Sequence, residues 1–290
     1  MAFISWEIQS ADTGTKPNNQ QVTYDKLAMK TVLTPIYLTV AQRLRLGVIH
    51  LVLSLIVALL VAPVVLGVWY PAPYRLISGG LYLFSLLVVV DVMLGPLATM
   101  VVSKPSKSAR EWRTDVALIV LVQCAALAYG LWTLHQARPV YMAFEIDRLR
   151  VVHAVDVPPE LLPKAPEGFQ KLPLGGPGWV AVRPFANIAE RTEATFAALQ
   201  GVHLAFRPDF WMPFEQANDA VRHEAKPLND LIEREPQLRQ TLQQALESHG
   251  VSASDVLYLP LLSRTAFWTA LFHAKTLEPF AYLPIDPYGE

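Results

Sequence analysis

Three long apolar runs near the start of the chain restrict its fold more than any other feature. The first covers residues 46–69 and has no charged side chain. The second covers residues 76–102, and the third covers residues 116–134. About 20 predominantly apolar residues are enough for a helix to cross the hydrocarbon core of a bilayer. The sequence therefore predicts three transmembrane helices.

Composition agrees with a membrane domain joined to a soluble one. Hydrophobic residues make up 52% of the 290 residues and charged residues 17%, whereas soluble domains have about 25% charged residues. The formal net charge of −1 gives no electrostatic basis for binding nucleic acid. The single cysteine, Cys124, excludes an intrachain disulfide and a cysteine-based zinc site.

Charges beside the apolar runs predict how the helices are oriented. Arg43 and Arg45 precede the first run, and residues 103–113 contain four basic side chains against one acidic side chain. The loop between the first two runs has only Arg75. Short basic segments stay in the cytoplasm. We therefore expect the N-terminus inside and everything after His135 outside, which in a bacterium is the periplasm.

The remaining segments give the domain boundaries. Residues 1–40 are polar and aperiodic, which predicts disorder. Residues 41–136 are the predicted three-helix membrane domain, and residues 137–290 are a predicted α+β domain. The predicted fold class is thus a membrane protein with three transmembrane α-helices, N-terminus inside, followed by a periplasmic α+β domain.

Strands of the soluble domain are indicated by β-branched and aromatic residues. Residues 140–155 predict one or two strands, and residues 179–182 predict a short strand at the end of a proline-rich loop. Three more strands are predicted at 256–262, 266–274 and 279–285.

Helices of the soluble domain are indicated by caps and periodicity. Asn187 and Glu190 have the spacing of a capping pair for a helix over residues 188–200. Its apolar face would contain Ile188, Thr192, Phe196 and Leu199. Further helices are predicted at 214–225 and 228–248, with breaks at Pro227 and Pro236. The aromatic residues Phe206, Phe210, Trp211 and Phe214 are predicted to lie in the core rather than in a partner-binding patch.

Asp91 is the one charged residue within the three apolar runs. An aspartate at the centre of a membrane helix costs about 2.5–3.5 kcal/mol on insertion scales. In one interpretation it is neutral or hydrogen-bonded inside the bundle, to His50, Ser54 or Gln123. In the other it pairs with a cationic or hydrogen-bonding group of a partner helix. Counting from residue 76 places it about 22 Å along its helix, past the midplane.

The pair Gly95-Pro96 follows Asp91 by one turn. Proline removes a backbone hydrogen bond and kinks a helix, so this break is either a tolerated kink or an opening for a second helix. Asp91, Gly95 and Pro96 are therefore the candidate partner-binding residues.

Five further residues are assigned to structure or to the membrane interface. Trp69 and Tyr70 have the position of an aromatic belt. Arg138 is predicted to anchor at lipid headgroups or to hold the domain through Asp147. His50 is predicted to be a hydrogen-bonded packing residue. Nucleotide-binding, hydrolase and metal-ligand motifs do not occur in the sequence, so we expect no catalytic site, metal or cofactor.

Several segments resemble the TfpX/TfpZ family of type IV pilin accessory proteins. The strings VVDVMLGPLAT at residues 89–99 and ARPVYMAFEIDRLRVVHAVDV at residues 137–157 carry most of the resemblance. It is supported by RLRLGVIHLVLSLIVALL at 43–60, WYPAPY at 69–74, AKPL at 225–228, YLPL at 258–261 and HAKTLEPFAYLPIDPY at 273–288.

The resemblance implies a non-enzymatic inner-membrane protein that supports pilin stability, pilus assembly or pilus dynamics. Its implied partners are the type IV major pilin, membrane lipid and the pilus assembly machinery. Mature pilins carry a free N-terminal amine beside a hydrophobic helix, which Asp91 would neutralise. Family members begin close to the Arg-Leu-Arg stretch, so we expect residues 1–40 to reflect a mis-annotated start, with Met29 or Val40 as the first residue.

Two other classes of protein fit the sequence less well. A membrane-tethered periplasmic sensor or ligand-binding protein would need an output domain, and the basic loop between the second and third runs is too short to contain one. A membrane enzyme would need a second acidic or histidine side chain in the runs, and His50 is the only one present.

Overall fold

The computed structural model describes residues 19–103, 108–264 and 266–288, with side chains from Val40 onward. Three of its helices are long and apolar enough to cross a membrane, over Val40–Trp69, Gly80–Val102 and Ala109–Gln136. A domain of strands and short helices follows them. The predicted order of an apolar helical part and an α+β part is confirmed.

The first helix, α1 (Asn19–Pro63), continues as a π-helical turn over Val64–Trp69. The backbone of residues 19–40 is thus helical where the sequence predicted disorder. Each residue added to an existing helix gains one backbone hydrogen bond. The polar segment can therefore join the helix of the apolar segment at little cost in free energy. Residues 1–18 lie outside the described residues, and the expected later start stays a prediction.

The second apolar helix begins later than predicted. A single helical turn, α2 (Tyr74–Ile77), comes first. Gly79 follows it with a left-handed φ of 68°, and α3 (Gly80–Val102) starts after this residue. Glycine adopts this conformation without steric cost. Asp91 therefore lies midway along α3 rather than past its middle. The third apolar helix is α4 (Ala109–Gln136).

The soluble domain is built on one mixed sheet of eight strands. The strands are β1 (Pro139–Glu145), β2 (Arg148–His153), β3 (Gly178–Val182), β4 (Trp211–Pro213), β5 (Lys226–Pro227), β6 (Val256–Leu262), β7 (Phe267–His273) and β8 (Pro279–Leu283). Their order in the sheet is β4-β3-β1-β2-β6-β7-β8, and β5 pairs with β6. Strands β1 and β3 are parallel, as are β2 and β6, and the remaining pairs are antiparallel. The strands predicted from the sequence are all present.

Helices cover both faces of this sheet. They are α5 (Ile188–Leu199), α6 (Asn218–Glu224), α7 (Leu228–Arg234) and α8 (Arg239–His249). Residues of α6 pack on one face, and residues of α7 and α8 pack on the other. The predicted aromatic core is confirmed for Phe210, Trp211 and Phe214, which are buried, whereas Phe206 is partly buried.

The loop between α1 and α3 is built into the soluble domain. Tyr74 and Ile77 are 6% and 2% exposed and pack with Met142 and Phe144 of β1. Burial raises the pKa of Tyr74 and also that of its neighbour Tyr282, the latter to about 12, so both phenols are neutral. The predicted boundary at residue 136 is therefore incomplete, because α2 belongs to the core of the second domain.

Polar contacts fix the end of α4 to the segment after α1 and to the sheet domain. Tyr70 is fully buried, and its hydroxyl donates to the carbonyl of Leu134 at 2.9 Å. Arg138 is 4% exposed and donates to the carbonyls of His135 and Pro173. The Arg138 guanidinium was expected at lipid headgroups. It instead donates to one carbonyl at the end of α4 and to one in the proline-rich loop.

The predicted link between Arg138 and Asp147 is wrong. Asp147 pairs with its neighbour Arg148 at 2.6 Å, at the turn where β1 meets β2. Arg138 precedes β1 at the opposite end of that strand, so the length of β1 separates the two side chains. The Trp69 ring lies against the His135 ring, with centroids 5.2 Å apart. Trp69 is thus packed at the end of α4, next to Arg138.

Ion pairs fix α5 to the sheet. Asn187 caps it, its side chain accepting from the backbone N–H of Glu190 at 2.9 Å, as predicted. Arg183, just after β3, donates to the Glu190 carboxylate at 2.7 Å, and the N–H of Ala186 donates to the same group at 2.6 Å. Arg183 and this N–H together lower the pKa of Glu190 to about 2.

Replacing Ile77 by Ala tests the insertion of α2. A buried Ile→Ala change costs about 2–5 kcal/mol, so the soluble domain should unfold at clearly lower denaturant. The neighbouring Leu76 is 60% exposed, and Leu76→Ala should change stability by less than about 0.5 kcal/mol. Tryptophan fluorescence of the detergent-solubilised protein in urea measures both, and equal shifts for the two variants would contradict the packing.

Replacing Glu190 by Gln tests the α5 anchor. Because the folded-state pKa of Glu190 is depressed, its ion pair stabilises the fold above the ordinary carboxyl pKa near 4.5 and is lost as the pH falls to about 2. The thermal midpoint of the variant should lie below that of the native protein at pH 6, and the gap should close towards pH 2. Glu167→Gln, at an exposed glutamate outside α5, is the control, and a gap independent of pH would refute the assignment.

Candidate functional site: a polar groove among the apolar helices

The three apolar helices converge at one end of the bundle. Helix α3 packs along both α1 and α4, while α1 and α4 scarcely contact each other. Near the soluble domain, Val65, Phe84 and Leu134 are buried in one cluster with neighbours from all three helices. This end is the domain-facing half of the bundle, and it has a closed core.

The other half of the bundle is open. All of α4 is described, and Leu134 is its single buried residue. Helices α1 and α4 therefore diverge and leave a groove of about 350 Å³ above α3. Its walls are largely aliphatic, and its lining includes the polar or aromatic side chains of His50, Ser54, Asp91, Thr99, Trp112 and Gln123.

Two hydrogen-bonded pairs form the polar floor of this groove. Gln123 Nε2 of α4 donates to the Asp91 carbonyl and to Asp91 Oδ1, both at 3.3 Å. His50 Nδ1 of α1 lies 2.6 Å from Thr99 Oγ1 of α3. Of the three expected neighbours of Asp91, the structure therefore brings Gln123 to it, whereas His50 pairs with Thr99. Ser54 is buried in the same groove.

Gly95 allows this approach. A Cβ atom at residue 95 would lie 2.0 Å from Gln123 Nε2 and 2.9 Å from His50 Nε2. Any larger residue would push both side chains away from α3. Pro96 is buried next to it, and α3 continues through both residues to Val102. The predicted break is thus a close-contact point in a continuous helix.

Asp91 retains free hydrogen-bonding capacity. Among the described residues, its Oδ2 atom has no hydrogen-bond partner, since Gln123 occupies Oδ1. A second groove of about 340 Å³, on the other side of the α3–α4 contact, is also lined by Asp91, Gly95 and Gln123. A carboxylate oxygen is therefore available to a donor or cation that enters between the helices.

The far end of the groove is fixed by residues that sequence reasoning missed. Trp112 Nε1 donates to Ser103 Oγ at 3.1 Å, and Ser103 Oγ donates to the Thr99 carbonyl at 2.7 Å. Thr99 follows Asp91 and Gly95 at helical spacing, on the same face, and this signal was available in the sequence. In the described part of the chain, no cluster of His, Cys, Asp and Glu has the arrangement of a metal site.

Gly95→Ala and Gln123→Ala together test the contact at the floor. Gly95→Ala should lower the stability of the bundle, because its methyl group overlaps the Gln123 amide. Removing that amide in the double variant should recover part of the loss, with a coupling energy of about 1–2 kcal/mol in a double-mutant cycle. Thermal unfolding in nanodiscs measures the four proteins, and strictly additive effects would rule out the overlap.

Comparison with known proteins places this arrangement in a family. A family model described as "Fimbrial assembly protein FimB" matches residues 38–79, from α1 through α2. "Fimbrial assembly protein, serogroup I" from Dichelobacter nodosus is 35% identical over 241 residues, which are 83% of this chain and 94% of that protein. The serogroup E1 protein is 34% identical over the same shares of the two chains.

A third relative supports the same placement over a shorter stretch. "Fimbrial assembly protein, serogroups C1 and C2" is 42% identical over 117 residues, 40% of this chain and 89% of that protein. No solved structure matches the chain. Since the similarity to the serogroup I protein extends over nearly all of that protein, the chain belongs to the FimB family of fimbrial assembly proteins.

Proposed function

We propose that this protein is a non-enzymatic accessory of type IV pilus assembly that binds the membrane helix of the major pilin in the groove between α1 and α4. The names of its relatives support a role in fimbrial assembly. The observation that carries the proposal is the open groove with Asp91 Oδ2 unpaired at its floor.

In this proposal the bundle spans the bacterial inner membrane. The α1–α3 loop and the soluble domain lie at one end of the bundle, and Arg43, Arg45, Arg110 and Arg113 lie at the other. Basic segments are retained in the cytoplasm, so the soluble domain is periplasmic. The open half of the groove then faces the cytoplasmic leaflet, and Asp91 lies near the bilayer centre.

An apolar helix fits this groove for two reasons. The walls contributed by α1 and α4 are aliphatic and uncovered in the open half, so a helix would bury apolar side chains there in place of lipid tails. A donor or cation on that helix would form a charge-assisted hydrogen bond with Asp91, worth about 1.5–3 kcal/mol. The free N-terminal amine of a mature pilin has this chemistry.

The closed core limits how far the partner enters. Val65, Phe84 and Leu134 fill the domain-facing half, so only the part of the pilin helix in the opposite half is enclosed. A groove of this kind binds one half of the pilin helix from the side. The half of the pilin helix near the soluble domain stays free. This arrangement suits a protein that stabilises pilin before assembly and then releases it.

Co-purification of the organism's own major pilin tests the proposal. Asp91→Ala should reduce the recovered pilin about tenfold, which corresponds to loss of one charge-assisted hydrogen bond, and Asp91→Asn should keep part of it. Asp147→Ala, in the soluble domain, is the control. Equal pilin recovery with Asp91→Ala and the native protein, at normal levels of both, would remove Asp91 from the mechanism.

Filling the groove with a bulky side chain tests the binding site independently of Asp91, with the same co-purification as the measurement. Val120 is 46% exposed and lines the groove, whereas the adjacent Leu121 is 66% exposed and lines neither groove. Val120→Trp should block pilin recovery and Leu121→Trp should not. Unchanged recovery with Val120→Trp would exclude this groove as the binding site.

A further inference from the structure

Two large apolar side chains are exposed where the soluble domain meets the apolar helices. Leu174, in the proline-rich loop, is 71% exposed, and Val155, in the short 3₁₀ turn Ala154–Asp156, is 55% exposed. Single apolar residues on a protein surface are ordinary. What distinguishes these two is their position at the ends of the helices.

The loop that contains Leu174 is attached to the end of the first apolar helix. The backbone N–H of Gly176 donates to the carbonyl of Val68 at 2.8 Å. A Cβ atom at residue 175 would lie 3.2 Å from Val68 Cγ1, so the loop packs directly on this side chain. Val68 is itself 44% exposed. Leu174 is therefore exposed next to the apolar surface of this helix.

Val155 has the equivalent position beside α4. Its 3₁₀ turn follows β2 and contacts α4. The backbone N–H of Ala154 donates to the carbonyl of Arg138, just after the end of α4, at 3.0 Å. Leu174 and Val155 thus flank the ends of two different apolar helices.

A guanidinium group lies at the same end of the sheet. Arg264 follows β6, which is parallel to β2, so it approaches the end of β2 that pairs with Pro139. Burial raises the pKa of the Tyr70 phenol, and the charge of Arg264 partly offsets this effect, which places Arg264 close to Tyr70. Arg264 Nη2 donates to Asp156 Oδ1 at 2.7 Å, and the arginine side chain is 44% exposed. Asp156 is its one hydrogen-bond partner among the described residues, so further N–H groups are available to an anion.

Exposed aromatic rings occur on the helices at this level. Tyr70 packs on Gly80, where a Cβ atom would lie 2.2 Å from its ring, and its hydroxyl donates to the Leu134 carbonyl. Slightly further into the bundle, Tyr82 of α3 and Trp132 of α4 are 71% and 57% exposed. Tyrosine and tryptophan are enriched where membrane helices meet the headgroups. These two rings therefore indicate a membrane interface directly beside the soluble domain.

We propose that Leu174, Val155 and Arg264 form a lipid-binding edge of the soluble domain. This rests on the proposed function, in which the three apolar helices span the inner membrane. Leu174 and Val155 insert at the boundary between headgroups and acyl chains of the periplasmic leaflet, and Arg264 binds a phospholipid phosphate. A guanidinium suits this ligand because two of its N–H groups pair with two phosphate oxygens.

Continuity with the bundle identifies lipid as the occupant of this edge. The outward faces of the apolar helices are exposed in the protein, and in the proposed orientation acyl chains cover them. The same lipids reach Leu174 and Val155, because both side chains flank the ends of those helices. Contacts beside two different helices fix the tilt of the domain relative to the bilayer, which one contact would not.

Spin labelling of the full-length protein in phospholipid nanodiscs tests the insertion. Replacing the single cysteine, Cys124, by serine gives a background in which Leu174→Cys and Val155→Cys each carry one nitroxide. Oxygen concentrates in lipid and a nickel chelate stays in water, so both labels should collide more often with oxygen. Ile188→Cys is the control, because Ile188 is 84% exposed on α5, which follows the end of β3 away from α4. Its label should collide more often with the nickel chelate.

A label on α4 separates this inference from the proposed function. Leu121 is 66% exposed near the middle of α4, so Leu121→Cys reports whether this helix lies in lipid. Water exposure of that label would overturn the proposed membrane-spanning arrangement. Lipid exposure at residue 121 with water exposure at residues 155 and 174 would overturn the lipid-binding edge alone. Labels at 155 and 174 that are shielded from both reagents would assign the edge to a protein partner and overturn it likewise.

Stabilisation by lipid tests the role of Arg264. Phosphatidylglycerol added to the detergent-solubilised protein should raise its thermal midpoint, because a ligand of the native state stabilises that state. Arg264→Gln should reduce this rise by about half or more, whereas Arg191→Gln, at an exposed arginine of α5, should not. Inorganic phosphate at the same concentration should give no rise, which separates a lipid headgroup from free phosphate. An equal rise with inorganic phosphate, or equal lipid-induced rises in Arg264→Gln and the native protein, would contradict the assignment.

Discussion

Burial of Tyr74 and Ile77 in the core of the soluble domain is the contact on which the rest of the structure depends. These side chains connect the end of α1 and the start of α3 to the sheet. The end of α4 is attached separately, since Arg138 follows it and donates to the Pro173 carbonyl of the proline-rich loop. All three apolar helices are therefore held at one end by one folded domain.

Attachment at one end explains why the bundle opens at the other. Near the domain, the helices are close enough for Val65, Phe84 and Leu134 to be buried together. Away from it, α3 alone joins α1 to α4, through hydrogen bonds that start from His50 and Gln123. Polar pairs of this kind are worth about 1 kcal/mol each within a membrane. They fix the approach of the helices without building a dry core, and the groove is the result.

The open groove suggests why residue 91 is an aspartate rather than an uncharged side chain. A carboxylate at the centre of an apolar helix is costly, and a purely structural pair with Gln123 would be served equally well by an uncharged side chain. Gln123 bonds one carboxylate oxygen of Asp91, and the other has no hydrogen-bond partner among the described residues. In the proposed function, a donor on the pilin helix would complete the hydrogen bonding of this carboxylate.

How much the sequence could reveal depended on the range of the interactions. Local signals were reliable: the Asn187 cap, the strands and the apolar runs depend on neighbouring residues alone. Gln123 was foreseen as a neighbour of Asp91 because few polar side chains share the apolar runs. The insertion of Tyr74 and Ile77 could not be foreseen, since a four-residue turn beside a long apolar helix has no periodicity that points to a distant sheet. Arg138 was misplaced for the same reason, because its acceptor at Pro173 lies in an irregular loop.

The apolar face predicted for α5 exists, but its Ile188, Phe196 and Leu199 are exposed. Periodicity identifies the apolar side of a helix, but the side that packs depends on what the rest of the domain presents. Here Ala194 packs on a surface built around Phe210, with Arg183 and Arg207 each within 5 Å of its ring centre. The apolar residues are left exposed at the risk of aggregation. Because ion pairs hold α5 in place, the helix stays attached with these side chains exposed.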